Sequence, residues 1–232
     1  SVKIQEKLIH HIILFEKNIV DFDRIDIFIH TWRDSKTSNA GTEVDSIEKI
    51  TKYYKNIKGM SIEEWEPLVP VICTHDSAEQ VVIHHSMFYT MYRSNQLKEE
   101  YEKANKFKYD YVAWTRFDTA VLEEVNIRKH SKTKVNIPYS RANGTPCDWL
   151  LSSSSEVMDK ALSAWPLMNE NNCKQKAGEE ILRDHWEREH LETNKFCSKE
   201  GIMLVRRTGH AGPETWIELS EVRKKIKPLE KK

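Results

Sequence analysis

In the first twenty residues, apolar side chains return every three or four positions (Ile4, Leu8, Ile12, Phe15, Ile19), the stripe an amphipathic helix lays against a core. The period then changes. Ile25-Asp26-Ile27-Phe28-Ile29-His30 gathers β-branched and aromatic residues into a run short enough for a buried strand. Val44, Ile47, Ile50 and Ile57 restore helical spacing, closed by Gly59, and Pro67 and Pro70 break the chain before a short strand at 71–73. A long helix is predicted over about 78–106, with Val81, Phe88 and Tyr92 turned to the core and Lys98-Glu99-Glu100 at its charged end. Strands follow at 109–115, at 135–138 where Pro138 ends the run, and at 149–151, leading into the serines at 152–155. Ser153 and Glu156 have the spacing of a capping box for a helix with Val157, Ala161, Trp165 and Met168 on one face. Gly178 precedes a helix over about 179–190, and 202–205 forms a last strand. Helices alternating with short, continuous apolar strands predict an α/β fold, a mainly parallel sheet flanked by helices on both faces. Ligands of such sheets bind outside the carboxyl ends of the strands.

Composition narrows the partners. The 232 residues suffice for one domain with a sizeable core, and a single domain over 1–232 is expected. Lys plus Arg and Asp plus Glu both number 36, so no net field draws the chain to nucleic acid, and nucleic acid is not expected as a partner. Cys73, Cys147, Cys173 and Cys197 are widely spaced, which argues against a zinc ribbon or a disulfide framework and for reduced thiols in the cytoplasm. No run approaches the roughly 20 apolar residues of a membrane helix, and no signal-peptide pattern is present. No transmembrane segment is therefore expected and any membrane contact is peripheral; the basic tail at 220–232 reads most simply as solvated, with contact to an anionic membrane as the alternative. The seven glycines form neither a dinucleotide fingerprint nor a P-loop.

Candidate chemistry starts where the apolar run at 109–115 stops, at Thr115-Arg116-Phe117-Asp118. A cation and a carboxylate at the carboxyl edge of a strand suit a polyanionic ligand with a hard metal. Asp118 offers oxygen to Mn2+ or Mg2+, and Arg116 hydrogen-bonds phosphate. The same two residues also read as a structural ion pair at a strand end. Arg206 and Arg207 have the charge to close over a diphosphate leaving group, or simply form a positive strand end. His10-His11 and His84-His85 diverge on a helix and make poor joint metal ligands.

Four segments in order, Asp-Ile-Phe-Ile-His-Thr-Trp (26–32), a long helix with Ser86, Tyr89 and Leu97, Tyr-Asp-Tyr-Val with Arg-Phe-Asp (109–118), and Asp-Trp-Leu-Leu-Ser-Ser-Ser-Ser-Glu-Val-Met (148–158), resemble GT-A-fold glycosyltransferases. The similarity is to enzymes encoded by large viruses and by bacterial polysaccharide loci, and it covers most of the chain. It implies a Rossmann-like GT-A domain that moves a sugar from a nucleotide-sugar donor to a hydroxyl of a glycan or glycoprotein acceptor. The setting it implies is cytoplasmic, the host's cytoplasm for a viral protein. Asp118 is then the metal-binding aspartate, with Arg116 standing where many such enzymes carry a first aspartate. The resemblance puts His30, Trp32 and Arg33 near the nucleotide, Trp32 on the base and Arg33 on phosphate, with Ser86, Tyr89, Thr115, Arg116 and Arg206 also at the donor. Trp32 as a core residue and Arg33 as a solvated one is the alternative. His210, in Arg-Arg-Thr-Gly-His-Ala-Gly-Pro-Glu-Thr-Trp (206–216), resembles the histidine that completes the metal site of glycogenin-like transferases, without the Lys-Pro that follows it there. A surface histidine is the alternative.

Asp148 and Glu180, beside Glu179, are the carboxylates to place near an acceptor hydroxyl as general base, although glutamates at a helix start also serve the helix dipole. The family's first nucleotide-binding strand has no counterpart, since this chain opens on the helix that follows it. That departure and the missing first aspartate keep open a second class: a non-catalytic GT-A-like module that binds a glycan or a partner protein.

Overall fold

A computed structural model describes residues 25–33, 54, 56–64, 78–116, 119–121, 125–168, 178–198, 201–206 and 216–218. The expected N-terminal helix, most of the second helix and the strand at 71–73 lie outside the described residues.

Strand β1 (Ile27–Arg33) pairs in parallel with β2 (Ile57–Glu64), with Ile29 opposite Met60 and Arg33 opposite Glu64. Here the sequence reading needs correction: Ile57 and Gly59, expected to end a helix, lie in a strand. Ile57 stands two helical turns beyond Ile50, which mimics a helix stripe, but Asn56 adopts a left-handed turn (φ 62°) and the chain leaves it extended along β1. Gly59 allows a close approach. A Cβ there would meet Phe28 Cδ1 at 3.1 Å and the Leu97 Cβ at 3.2 Å.

Helix α1 (Ala78–Asn105) covers this strand pair. Thr90 meets His30 and Tyr89 meets Glu63 towards the strands' carboxyl ends, whereas Leu97 reaches Gly59 and Tyr101 packs on Phe28 near their starts. The helix therefore runs opposite to the strands. The strand starts β1 and β3 (Val112–Thr115) are also side by side, since the Tyr109 hydroxyl donates to Asp26 at 2.8 Å.

The chain continues through β4 (Thr119–Val121), a 3-10 turn (Ile127–Lys129), β5 (Val135–Ile137), β6 (Leu150–Ser153), α2 (Ser155–Ala161), α3 (Trp165–Met168), α4 (Gly178–Arg188), β7 (Thr193–Lys195), β8 (Ile202–Arg206) and β9 (Trp216–Glu218). The second sheet has the order β3-β6-β5-β7, antiparallel at β3–β6 and β5–β6 and parallel at β5–β7. The third runs β4-β8-β9, antiparallel and then parallel. The class is α/β, and two of the three described sheets are mixed where a mainly parallel one was expected.

Strand β6 explains its continuous apolar run. Leu151 joins the core of Phe88, Met91, Trp114, Met158, Leu182 and Trp186, while its neighbour Leu150 joins Val121, Ile127, Cys147, Trp149 and Ile202 on the opposite face. Truncating a residue such as Phe88 in such a core costs about 3–5 kcal/mol.

Two details at α2 differ from the sequence reading. The N-cap is Ser154, whose hydroxyl accepts from the Val157 N–H, because Ser153 belongs to β6 and donates its hydroxyl to the Lys134 carbonyl at 2.7 Å. The single helix expected through Met168 is two, α2 and α3, since Pro166 has no N–H to give the carbonyl of Leu162.

Candidate functional site

The end of β3 is pinned to the residue that precedes β6. The hydroxyls of Thr115 and Thr119 both donate to the Trp149 carbonyl, at 3.0 and 3.2 Å, which fixes the bend between β3 and β4. Arg116 leaves this bend with Nη1 4.0 Å from Asp148 Oδ2. Asp148 is 3% exposed, and its environment holds the carboxyl above its ordinary range. Burial is the main cause; Arg116 opposes it, and the negative charge of Glu179 adds to it.

Glu179, in the first turn of α4, is bound at 2.5 Å by Arg141 Nη2, whose guanidinium lies 5.9 Å from the centre of the Trp149 ring. Arg141 projects from a tight turn closed by Arg141 N–H to the Thr145 carbonyl (2.8 Å) and Cys147 N–H to the Tyr139 carbonyl (3.0 Å), with Gly144 at φ 79°. Cys147 beneath it is an inert thiol, pushed up to about 12 by burial. Two guanidinium groups and two carboxylates thus meet at one strand end. Guanidinium groups grip phosphate, and a buried carboxylate whose pKa is raised holds a proton more readily than an exposed one.

A second cluster stands at the carboxyl ends of β1 and β2. Glu63 is its hub: Oε2 accepts from the Tyr89 hydroxyl (2.6 Å), and Oε1 from Ser61 (2.8 Å) and Arg93 Nε (3.4 Å). Burial disfavours the ionised carboxylate, but these hydrogen bonds and the nearby His30 outweigh it, so its pKa lies below the ordinary value. His30 is buried, with Nδ1 3.2 Å from the Thr90 hydroxyl and Nε2 3.6 Å from Glu63 Oε1. Burial takes it down to about 4 against the pull of Glu63, so it is neutral at pH 7. The Tyr89 hydroxyl rises to about 12 through burial and its bond to Glu63. Trp32 is 7% exposed and stacks on Tyr89 with ring centres 5.2 Å apart. Tyr89 in turn meets Trp165 edge-on, and Tyr92 stacks on the same indole.

The expected residues therefore fall into two groups: Thr115, Arg116 and Asp148 at one strand end, His30, Trp32 and Tyr89 at another. Tyr89 covers one face of the Trp32 ring, the side chain expected to stack on a base. Ser86 is half-buried on α1, one turn before Tyr89. Glu180 is half-buried at the start of α4, next to the glutamate that binds Arg141. Arg33 and Arg206 are placed by their backbones, opposite Glu64 and Glu218, with side chains outside the described set. Asp118, Arg207 and His210 lie outside the described residues. Among the described residues no group of three or more His, Cys, Asp or Glu is placed to hold a metal ion, and the carboxylates Asp148 and Glu179 already face Arg116 and Arg141. The described part of the site does not by itself fit a divalent cation.

Sequence reading missed Glu63, Arg93 and Arg141. Glu63 and Arg93 meet only when β2 pairs with β1 under α1, and Arg141 had the appearance of an ordinary loop cation. No known protein family matches the chain, and no curated protein matches it. Among the described residues no helix is long and apolar enough to cross a membrane.

Proposed function

We propose that this chain is a glycosyltransferase with a GT-A-like arrangement, moving a sugar from a nucleotide-diphosphate donor to a hydroxyl of a glycan acceptor. The observation that carries the reading is the buried Asp148 beside Arg116, with Glu179 and Arg141 flanking it. Arg116 and Arg141 hold the diphosphate and offset the charge that develops on it as the sugar leaves. Asp148 takes the proton of the attacking hydroxyl, and Glu180 stands towards the acceptor. Ser86 and Tyr89, one turn apart on α1, are assigned to the nucleoside side in the same proposal. Mn2+ or Mg2+ on Asp118 and His210 belongs to the same proposal and supplies further charge neutralisation when bound.

The test is isothermal titration with UDP-, GDP- and dTDP-sugars, with Mn2+ and with EDTA. At least one donor binds, and Arg116→Ala weakens it by about tenfold or more. Asp148→Asn keeps donor binding but slows transfer by about 10²–10⁴-fold. A chain that binds no donor under either condition overturns the reading, and glycan binding that persists in EDTA without donor turnover supports the non-catalytic module in its place.

A further inference from the structure

Large apolar side chains exposed among the described residues, Ile25 (36%) and Phe107 (40%), are found at the same end of the molecule. Phe107 packs edge-on against Tyr109 at 4.8 Å and against Tyr101 at 6.0 Å. Tyr109 donates to Asp26, the residue after Ile25. This is the end where β1 and β3 start, opposite the carboxyl ends that carry the two clusters above.

The turn that follows α1, Lys-Ala-Asn-Lys-Phe-Lys (103–108), is exposed throughout, with Lys106 in a left-handed conformation (φ 56°). It presents Phe107 at its tip between lysines. Lys103 and Lys106 project with no ion pair among the described residues, and Lys58 is exposed at the start of β2. Lys108 is held at 3.0 Å by both Glu102 and Asp159, so its charge is offset locally. Lys103, Lys106, Phe107 and Lys108 line a shallow cleft of about 490 Å³ with Glu99 and Glu102. Glu102, on its floor, is saturated: it accepts from Ser155, the Tyr109 N–H and Lys108 and faces Lys98. A second basic segment adjoins, since the Tyr111 hydroxyl donates to the Arg128 carbonyl and Lys132 lies over the Tyr111 ring. Arg128, Lys129 and Lys132 are exposed there, with Lys132 offset by Asp110 at 3.3 Å.

We propose that this end docks on an anionic lipid surface, with Phe107 inserted at the headgroup level and Lys103 and Lys106 against the lipid charges. A chain of zero net charge has no global attraction to a membrane, so the local clustering is what selects the surface. An exposed turn that presents one apolar ring between lysines matches a soft planar partner. A single-stranded nucleic acid is matched instead by a groove lined with open aromatic faces, and here Phe107 offers an edge-packed ring. The inference is independent of the chemistry at the other end.

The experiment is co-sedimentation of the whole chain with phosphatidylcholine vesicles and with vesicles that also contain phosphatidylserine. Binding is expected to the anionic vesicles alone and to weaken as salt is raised. Removing one lysine charge from the face weakens binding about fivefold, so Lys103→Gln with Lys106→Gln gives about a 25-fold loss. Phe107→Ser lowers it several-fold with a small drop in melting temperature from the lost Tyr101 and Tyr109 contacts, the lysine variant keeps the parent's melting curve, and both variants keep its donor titration. Absence of vesicle binding, equal binding to both vesicle types, or binding unchanged in both variants overturns the proposal. Retention of a single-stranded oligonucleotide without vesicle binding also overturns it and assigns the face to nucleic acid.

Discussion

Glu102 and Asp148 are both carboxylates sealed from solvent, 1% and 3% exposed, and their surroundings treat them in opposite ways. Glu102 accepts from Ser155 (2.6 Å), the Tyr109 N–H (2.9 Å) and Lys108 (3.0 Å), with Lys98 3.3 Å away. Burial alone would raise its pKa, yet these donors carry it below the ordinary value. Asp148 has its cation 4.0 Å away and a second carboxylate nearby, and there burial prevails. Saturation marks the first as a joint between α1 and α2; incomplete compensation at the second is what the proposed proton transfer rests on.

The strongest way to break this contrast is Lys98→Ala. Lys98 lies buried between Glu102, Ser155 and Asp159, so its loss leaves these two carboxylates with the half-exposed Lys108 as their remaining cation and costs about 3 kcal/mol in urea unfolding. A loss under about 1 kcal/mol would show the network is not structural. Ser155→Ala removes a donor to Glu102 and an acceptor for Lys98, and is expected to cost about 1–3 kcal/mol in the same assay.

Asp148→Asn should act with the opposite sign. An acid whose folded pKa is raised destabilises the native state once pH climbs above its unfolded value, so the amide leaves stability at pH 7 unchanged or increased while transfer fails. Glu102 behaves conversely: its depressed folded pKa contributes stability above the unfolded value, and that contribution disappears as pH falls through the folded one. Glu102→Gln should therefore flatten the acid limb of the stability profile, and Asp148→Asn should not. Glu179→Gln gives the smallest effect, a displacement of the acid limb of the transfer rate towards lower pH, because one source of the raised Asp148 pKa is removed.

Local patterns were readable where one short segment contains its own explanation. The core of α1, the apolar run of β6 and the start of α4 follow from spacing alone. Strand β2 was hidden because Ile57 continued a helical spacing, and the pairing that decides its state is with β1. Ser154 displaced Ser153 as the cap because β6 claims Ser153. At the site, Asp148 and Arg116 were visible as strand-end residues, whereas the Glu63 hub needed β1, β2 and α1 assembled to bring Tyr89 and Arg93 onto one carboxylate. A network closed across separate elements leaves no periodic trace in any of them.

Helix α1 also sets a scale. From Tyr89 to Asn105 it rises about 25 Å, at roughly 1.5 Å per residue, as one continuous helix. A vesicle gripped at Phe107 would hold the Tyr89 cluster at roughly that standoff, about the thickness of a small domain above the lipid. An acceptor embedded in that same bilayer would be out of reach of the Tyr89 end, while the free end of a long glycan would pass within it.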